Sequence, residues 1–362
     1  MIVEKISSRQ LTWLTFTIAI STSSLFLPGM VIFHARQNAW VSIILAAASA
    51  TAGTMLNVAL AQRFPGQSIA QYAQILLGPW LGKAIGLVYA LAFLYLDVAC
   101  LNFIAQLIQI ALMPDTPLLA FLTGLGLLAV YSAWLGIEPI ARANEIVLPP
   151  NVLMAGLILL LALPQAKLYR GLPVTQFNWA AIAQGMFPPA ACLGEVFFVL
   201  MLAPALNKPG ELKAATLKGL LFAGLFFLVI TQSFLFILGA FRAAVYLFPA
   251  LRIFEEILIL DIFEKFEPIV LIMWMLLITI KADAFTYLYA LAAAHTFNRP
   301  THTGFLLPAL PAIPLLALVP QNLAEVWQFW LGTLTFRYVI PLVFLVLPAL
   351  LFLIAKVKKA NA

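Results

Sequence analysis

Four ionisable side chains stand inside long apolar runs of the 362-residue chain: Asp97, Glu195, Lys281 and Asp283. A charge at the centre of a hydrocarbon layer costs about 2.5–3.5 kcal/mol on insertion scales, so each needs a partner or a pathway to serve. Lys281 and Asp283 are two residues apart and therefore do not share a helix face. Lys281 is expected to meet Glu195 or backbone carbonyls freed by a broken helix. Asp97 either joins the same site or turns a polar face to water. A run of hydroxyls, Ser21, Thr22, Ser23 and Ser24, could line a pocket for a polar ligand or bond back to its own helix. Beside Glu195, Ala191 and Gly194 leave room for a small or medium zwitterion. The expected ligand-binding set is thus Ser21, Thr22, Ser23, Ser24, Asp97, Ala191, Gly194 and Glu195. Lys281 and Asp283 are expected in gating, or in place of a bound cation.

Enzyme signatures are missing. The chain has no Gly-x-x-x-x-Gly-Lys-Ser/Thr loop, no His-Glu-x-x-His and no Gly-x-Ser-x-Gly. Neither Asp97 nor Asp283 lies in the Gly-x-Gly-Asp setting of an intramembrane aspartyl protease. His34, His295 and His302 have no metal-ligand spacing, and Cys100 and Cys192 read as small core residues. No catalysis, cofactor or metal is expected.

The elements that position these residues follow from composition. The chain is 64% hydrophobic and 9% charged, whereas a soluble domain is about 45–50% apolar and about 25% charged. This excludes a soluble enzyme, a nucleic-acid binder and a disordered chain. About 20 apolar residues cross a bilayer as a helix. On that ruler ten spans are expected, at 12–33, 40–61, 83–112, 117–135, 146–163, 181–203, 215–239, 268–294, 303–319 and 337–355. Short joints at 34–38, 63–68, 136–145, 164–178, 207–213, 298–302 and 320–328 leave no room for a soluble domain. The chain therefore reads as a single membrane domain over 1–362. The first apolar stretch is too long for a signal peptide's core and should remain as the first span.

With the N-terminus placed in the cytoplasm, the inner joints hold twelve basic residues: Lys5, Arg9, Arg63, Lys83, Arg142, Lys208, Lys213, Lys218, Arg299, Lys356, Lys358 and Lys359. The outer joints hold seven: Arg36, Lys167, Arg170, Arg242, Arg252, Lys265 and Arg337. The net charge of +6 is thus spread as the positive-inside rule requires for two cytoplasmic termini.

The features also recur. Each half opens with an interrupted span, Ser21–Gly29 in the first and Phe187–Gly194 in the second. A second span follows, then a semi-polar piece (Gln67–Gly78, then Phe248–Lys265), then three more spans. An odd number of spans forces the halves, about 11–163 and about 179–357, to insert with opposite orientation. This is an all-α membrane protein built as a 5+5 inverted repeat, with broken helices 1 and 6 flanking a site at mid-membrane. Arg252, Glu255, Glu256, Asp261, Glu264, Lys265 and Glu267 make the second semi-polar piece a solvated face or a partner-docking surface.

The chain resembles the endospore germination permeases, the B subunits of GerA-type germinant receptors in the amino acid–polyamine–organocation superfamily. The resemblance rests on Ile6-Ser-Ser-Arg-Gln10, Leu25-Phe-Leu-Pro28, Asn38-Ala-Trp40, Phe64-Pro-Gly-Gln-Ser68, Leu77-Gly78, Leu81-Gly82 and Gly136-Ile-Glu-Pro-Ile-Ala-Arg142 with Glu145. In the second half it rests on Leu193-Gly-Glu195, Pro204, Phe248-Pro249, Asp261-Ile-Phe-Glu-Lys265, Trp274 and Ile280-Lys281. Asn38 stands where an Asp would be expected, and Glu264-Lys265 where Glu-Arg is commoner. The resemblance implies a leucine-transporter-like fold. It also implies a small-molecule germinant, usually an amino acid, an A-subunit partner and a lipoprotein C subunit, in the inner membrane of the spore. Sodium-coupled transporters of this architecture hold a cation between spans 1 and 8, where the ammonium of Lys281 would substitute for it and remove the need for sodium. A germinant-sensing receptor subunit is the first reading, and a working amino acid permease the second.

Overall fold

The structure, a computed structural model, describes residues 5–173, 176–246, 249–256, 267–320, 325 and 335–358. All its extended elements are helices. Span 1 is made of α1 (Ser8–Ile20) and α2 (Ser23–Ala35). At 1.5 Å per residue each half reaches about 20 Å, so only the two together cross a core about 30 Å thick. Then come α3 (Ala39–Arg63), the short α4 (Ile69–Leu77), α5 (Pro79–Ala111), α6 (Leu118–Leu135) and α7 (Ile137–Ala162). The second half has α8 (Trp179–Gly194), continued by a tight turn to α9 (Val199–Leu202), then α10 (Leu212–Leu238), α11 (Ala240–Val245) and α12 (Pro249–Glu256). It closes with α13 (Glu267–Thr296), α14 (Leu306–Ala317) and a last span whose π-helical start, from Thr335, leads into α15 (Leu347–Val357).

Among the described residues eight helical runs are long and apolar enough to cross a membrane. One of them, Ser23–Arg63, contains two crossings, because the backbone reverses at Arg36 with φ 48° and α2 then packs on α3. Span 1, completed by its N-terminal half α1, is another of the ten expected crossings, and the Thr303–Ala317 helix, too short to cross the core by itself, stands at the position of the ninth. The protein is a multi-pass integral membrane protein.

Contacts between joints sort them into two faces. The segment before α1 bonds to the end of span 6 through Ile6 N–H to the Ala205 carbonyl (2.9 Å) and Asn207 N–H to the Ile6 carbonyl (3.0 Å). Ser8 donates to Glu211, and Arg9 pairs with Glu145 on α7 at 2.7 Å. Burial of neither partner is complete, so the Arg9 pair is a positioning contact rather than a large source of stability. The Ser8 hydroxyl and Lys208 hold the Glu211 carboxyl below its ordinary range. On the same face Gln74 donates to the His295 carbonyl, and Lys358 donates to the Leu76 carbonyl. On the opposite face Asn38 donates to the Gln176 carbonyl, and Lys167 N–H to that of Phe236. Ten crossings place every one of these joints on the face where its partners lie.

One expected joint is not a joint. Residues 136–145 form the first turns of α7, which starts directly after Gly136 at φ 101°. Their charges read as a loop, but Glu138 and Arg142 pair four residues apart at 2.5 Å on the exposed face of a helix whose other face, Ile137, Ile140 and Ala141, is buried in the core. The two semi-polar pieces are both helical where described, as α4 and α12. Phe248 and the stretch 257–266, which includes Asp261, Glu264 and Lys265, lie outside the described residues.

The helices approach closely at small residues, as packing in lipid requires. A Cβ on Gly82 of α5 would stand 2.3 Å from Cα of Gln74 in α4. Because the obstacle is backbone, no rotamer change relieves it. Gly82→Ala is therefore expected to destabilise the protein by about 1–3 kcal/mol, read as a lower thermal midpoint in detergent, whereas Gly124→Ala, with open space around it, leaves the midpoint in place.

Candidate functional site

The interruption in span 1 is a two-residue turn at Ser21 and Thr22, where the backbone stays in the right-handed helical region. Local competition explains it: Ser23 Oγ donates to the Ala19 carbonyl at 2.5 Å and Ser24 Oγ to that of Ser21 at 3.3 Å. The lost donor at Pro28 loosens the same stretch from the other side. In span 6 the α-helix carries Pro188 and Pro189 and then tightens to a 3₁₀ turn over Glu195–Phe198. Glu195 thus stands on the interruption itself, one residue past the stretch expected from the sequence.

The two interruptions meet through α13. Lys281 Nζ lies 2.6 Å from Glu195 Oε2 and donates to Thr22 Oγ1 at 2.9 Å. All three side chains are buried, with Lys281 only 2% exposed. Two turns away on the same face of α13, the Trp274 indole N–H donates to Ser24 Oγ at 2.7 Å. One helix face therefore holds span 1 at two points and span 6 at one. The ammonium also lies 5.7 Å from the ring centroid of Phe285. That ring borders Phe93, which stacks on Phe197 at 4.9 Å, so aromatic groups from spans 3, 6 and 8 close the space beside the ion pair.

The remaining acids occupy another place. Asp97 of α5 accepts from Thr286 of α13 at 2.7 Å. Asp283, one turn before Thr286, has the Ser132 hydroxyl of α6 beside it. Lys281 and Asp283 do point from different faces, one toward spans 1 and 6 and the other toward span 4. The Oδ1 atoms of Asp97 and Asp283 and the Ser21 hydroxyl have no hydrogen-bond partner among the described residues. Buried carboxylate oxygens left open in this way can accept a proton or a donor group from a ligand.

The expected residues thus divide. Thr22, Glu195 and Lys281 are brought into one network, Ser24 is held by Trp274 on the same face of α13, and Asp97 and Asp283 lie on a neighbouring face. Ser23 bonds back to its own helix. Ala191 is buried, and Gly194 faces span 10, where a Cβ would meet Ile340 at 2.8 Å. Thr286, Trp274 and the aromatic set were not singled out as site residues by type. The i, i+3 spacing of Asp283 and Thr286, and the i, i+7 spacing of Trp274 and Lys281, are the signals that mark them.

Breaking a buried pair by removing one partner costs about 3–5 kcal/mol, while replacing both partners is often close to neutral. Lys281→Met is therefore expected to lower stability in detergent sharply, and Lys281→Met with Glu195→Gln to recover much of the loss. Thermal midpoints of the two variants check this directly.

Residues 5–326 match the family described as spore germination protein. The chain is 25% identical over 360 residues to spore germination protein YndE of Bacillus subtilis (strain 168), covering 98% of this chain and 97% of that protein. It is 22% identical over 360 residues to spore germination protein KB of the same organism, covering 98% and 95%. Among solved structures it is similar to MHP1, a nucleobase-cation-symport-1 family transporter, in a closed conformation with bromovinylhydantoin bound. There the TM-score is 0.68 at 17% identity, covering 96% of this chain and 78% of that one.

Proposed function

The chain belongs to the spore germination protein family and has a transporter fold, and from that premise we propose that it is a germinant-receptor B subunit. In this reading it binds a small nutrient molecule, an amino acid in the first instance, where spans 1 and 6 are interrupted. It then passes the change to an A subunit and a lipoprotein C subunit. The membrane is the inner membrane of the spore, with both termini cytoplasmic.

The observation that carries this reading is the Glu195–Lys281–Thr22 network, which joins both interruptions to α13. A ligand can signal only through different affinities for two conformations. A carboxylate or ammonium on the ligand competes for the same charges, so its entry exchanges internal contacts for ligand contacts and shifts the balance between the two. The lysine stands between spans 1 and 8, where it supplies a fixed positive charge in place of a bound cation.

A permease needs the same network, and transport is the second reading. It predicts counterflow of an amino acid in liposomes from the chain alone. The sensor predicts little flux and co-purification with its A and C partners.

The test is the nutrient response of spores carrying Glu195→Gln at matched membrane abundance, beside the Glu195→Gln, Lys281→Met double variant. Both are expected to lose the response, the double variant despite its recovered stability. A normal response in either contradicts the assignment of Glu195 to the site.

A further inference from the structure

A cavity of about 70 Å³ lies beneath α7, bounded by span 1, α10, α12 and α13. The space is well above the minimum of about 10–15 Å³ that a single water needs, so it admits a small molecule. Its walls are aliphatic and aromatic, represented by Ile20, Ile230 and Phe234, and among the described residues no Asp, Glu, Lys, Arg or His lines it. Polar groups come only from Ser24, Asn151 and Trp274. The first and last of these are spent on each other, at 2.7 Å. The Asn151 side chain donates through Nδ2 to the Val147 carbonyl at 2.9 Å. Among the described residues no donor reaches its Oδ1.

The depth of the cavity is set by its walls. Ser24 marks the interruption of span 1, near mid-membrane, while Ala250 and Ile253 belong to α12, which follows the joint on the face opposite the termini. The cavity therefore extends from the interruption toward that face. It also adjoins both halves of the chain, through Ile20, Ser24 and Asn151 on one side and Ile230, Ile253 and Trp274 on the other.

We propose that this cavity is a binding site for a small, uncharged, largely apolar molecule carrying one hydrogen-bond donor, which Asn151 Oδ1 accepts. A zwitterion would enter with two charges and find no countercharge among the described residues, so the desolvation of each would go uncompensated there. The nearest buried charges, Lys281 and Glu195, already neutralise each other. A lipid chain would fill the walls, but it has no donor for Asn151. The site stands beside the ion-pair network and does not depend on the germinant reading, so the spore response of the Glu195 variants bears on that reading alone.

Tribromoethanol is the probe: uncharged, of this size, with one hydroxyl, and its bromines quench indole emission on contact. The full chain is purified in nanodiscs and titrated beside Trp274→Phe, so that the difference isolates Trp274. The expected result is saturable quenching of Trp274 that unbrominated isobutanol reverses. Ala155→Phe, which fills the cavity, should weaken the apparent affinity about tenfold or more. The anion tribromoacetate should bind at least about tenfold more weakly than the alcohol. The isobutanol competition uses the unaltered cavity and so stands if Ala155→Phe fails to fold. Three results would overturn the proposal. One is quenching that rises linearly and is the same without Trp274. Another is equal binding of tribromoacetate, or displacement of the alcohol by leucine. The third is quenching by chain-brominated phospholipid that excludes isobutanol, which would make the cavity a lipid site.

Discussion

An ammonium group buried in the middle of a membrane protein must find a negative charge and a hydrogen-bond acceptor, and Lys281 finds both on the two helices that are interrupted. Glu195 supplies the charge at 2.6 Å and Thr22 the acceptor at 2.9 Å. In a medium of low dielectric the pair is costly to desolvate and more costly to break. It therefore fixes the relative placement of spans 1, 6 and 8 more strongly than any single apolar contact could. Much of the central architecture is subordinate to it: the hydroxyl run that bends span 1, the tight turn that carries Glu195, and the aromatic set that closes around the lysine.

A second tier of contacts links this centre to the face that carries the termini. The segment from Ile6 to Gln10 touches the end of span 6 and the start of α7 at the same time. Movement of span 1 relative to span 6 is thus felt directly at Ile6, Glu145 and Glu211. The side-chain contacts of Ser8 and Arg9 are exposed polar ones that are cheap to rearrange, in contrast to the buried pair they flank. An arrangement with one strong central contact and weaker peripheral side-chain ones is suited to two alternative states, which the proposed receptor role requires.

Much of the fold was legible in the sequence because lipid imposes strict rules on length and polarity. The ten spans, the interruptions near Ser21 and Gly194, and the position of the semi-polar piece that forms α4 follow from apolar run length and from Pro, Gly and hydroxyl placement. The start of α7 was not legible, since Glu138, Arg142 and Glu145 have the composition of a loop while sitting on the exposed face of a helix whose opposite face, Ile137, Ile140 and Ala141, is buried. At the site, the four charged residues stood out because burying charge is expensive. The neutral partners did not: Thr286, Ser132 and Trp274 are ordinary residue types in a membrane helix, and their roles come from the faces that α13 turns to α5, to α6 and, at Trp274, to α2. Gly194 illustrates the opposite error of emphasis, because a small residue beside Glu195 reads as space for a ligand, whereas span 10 fills that space.

The reading of Lys281 as a fixed charge in the place of a bound cation makes a claim about the empty protein that needs no ligand to test. The measurement is thermal unfolding of the purified full chain in nanodiscs, in sodium chloride and in choline chloride at equal ionic strength. A specifically bound ion stabilises the folded state in proportion to the logarithm of its concentration. The account predicts identical midpoints in the two salts. A midpoint that climbs with sodium and not with choline would show that a cation binds beside the lysine, and would contradict the claim that its ammonium takes that place.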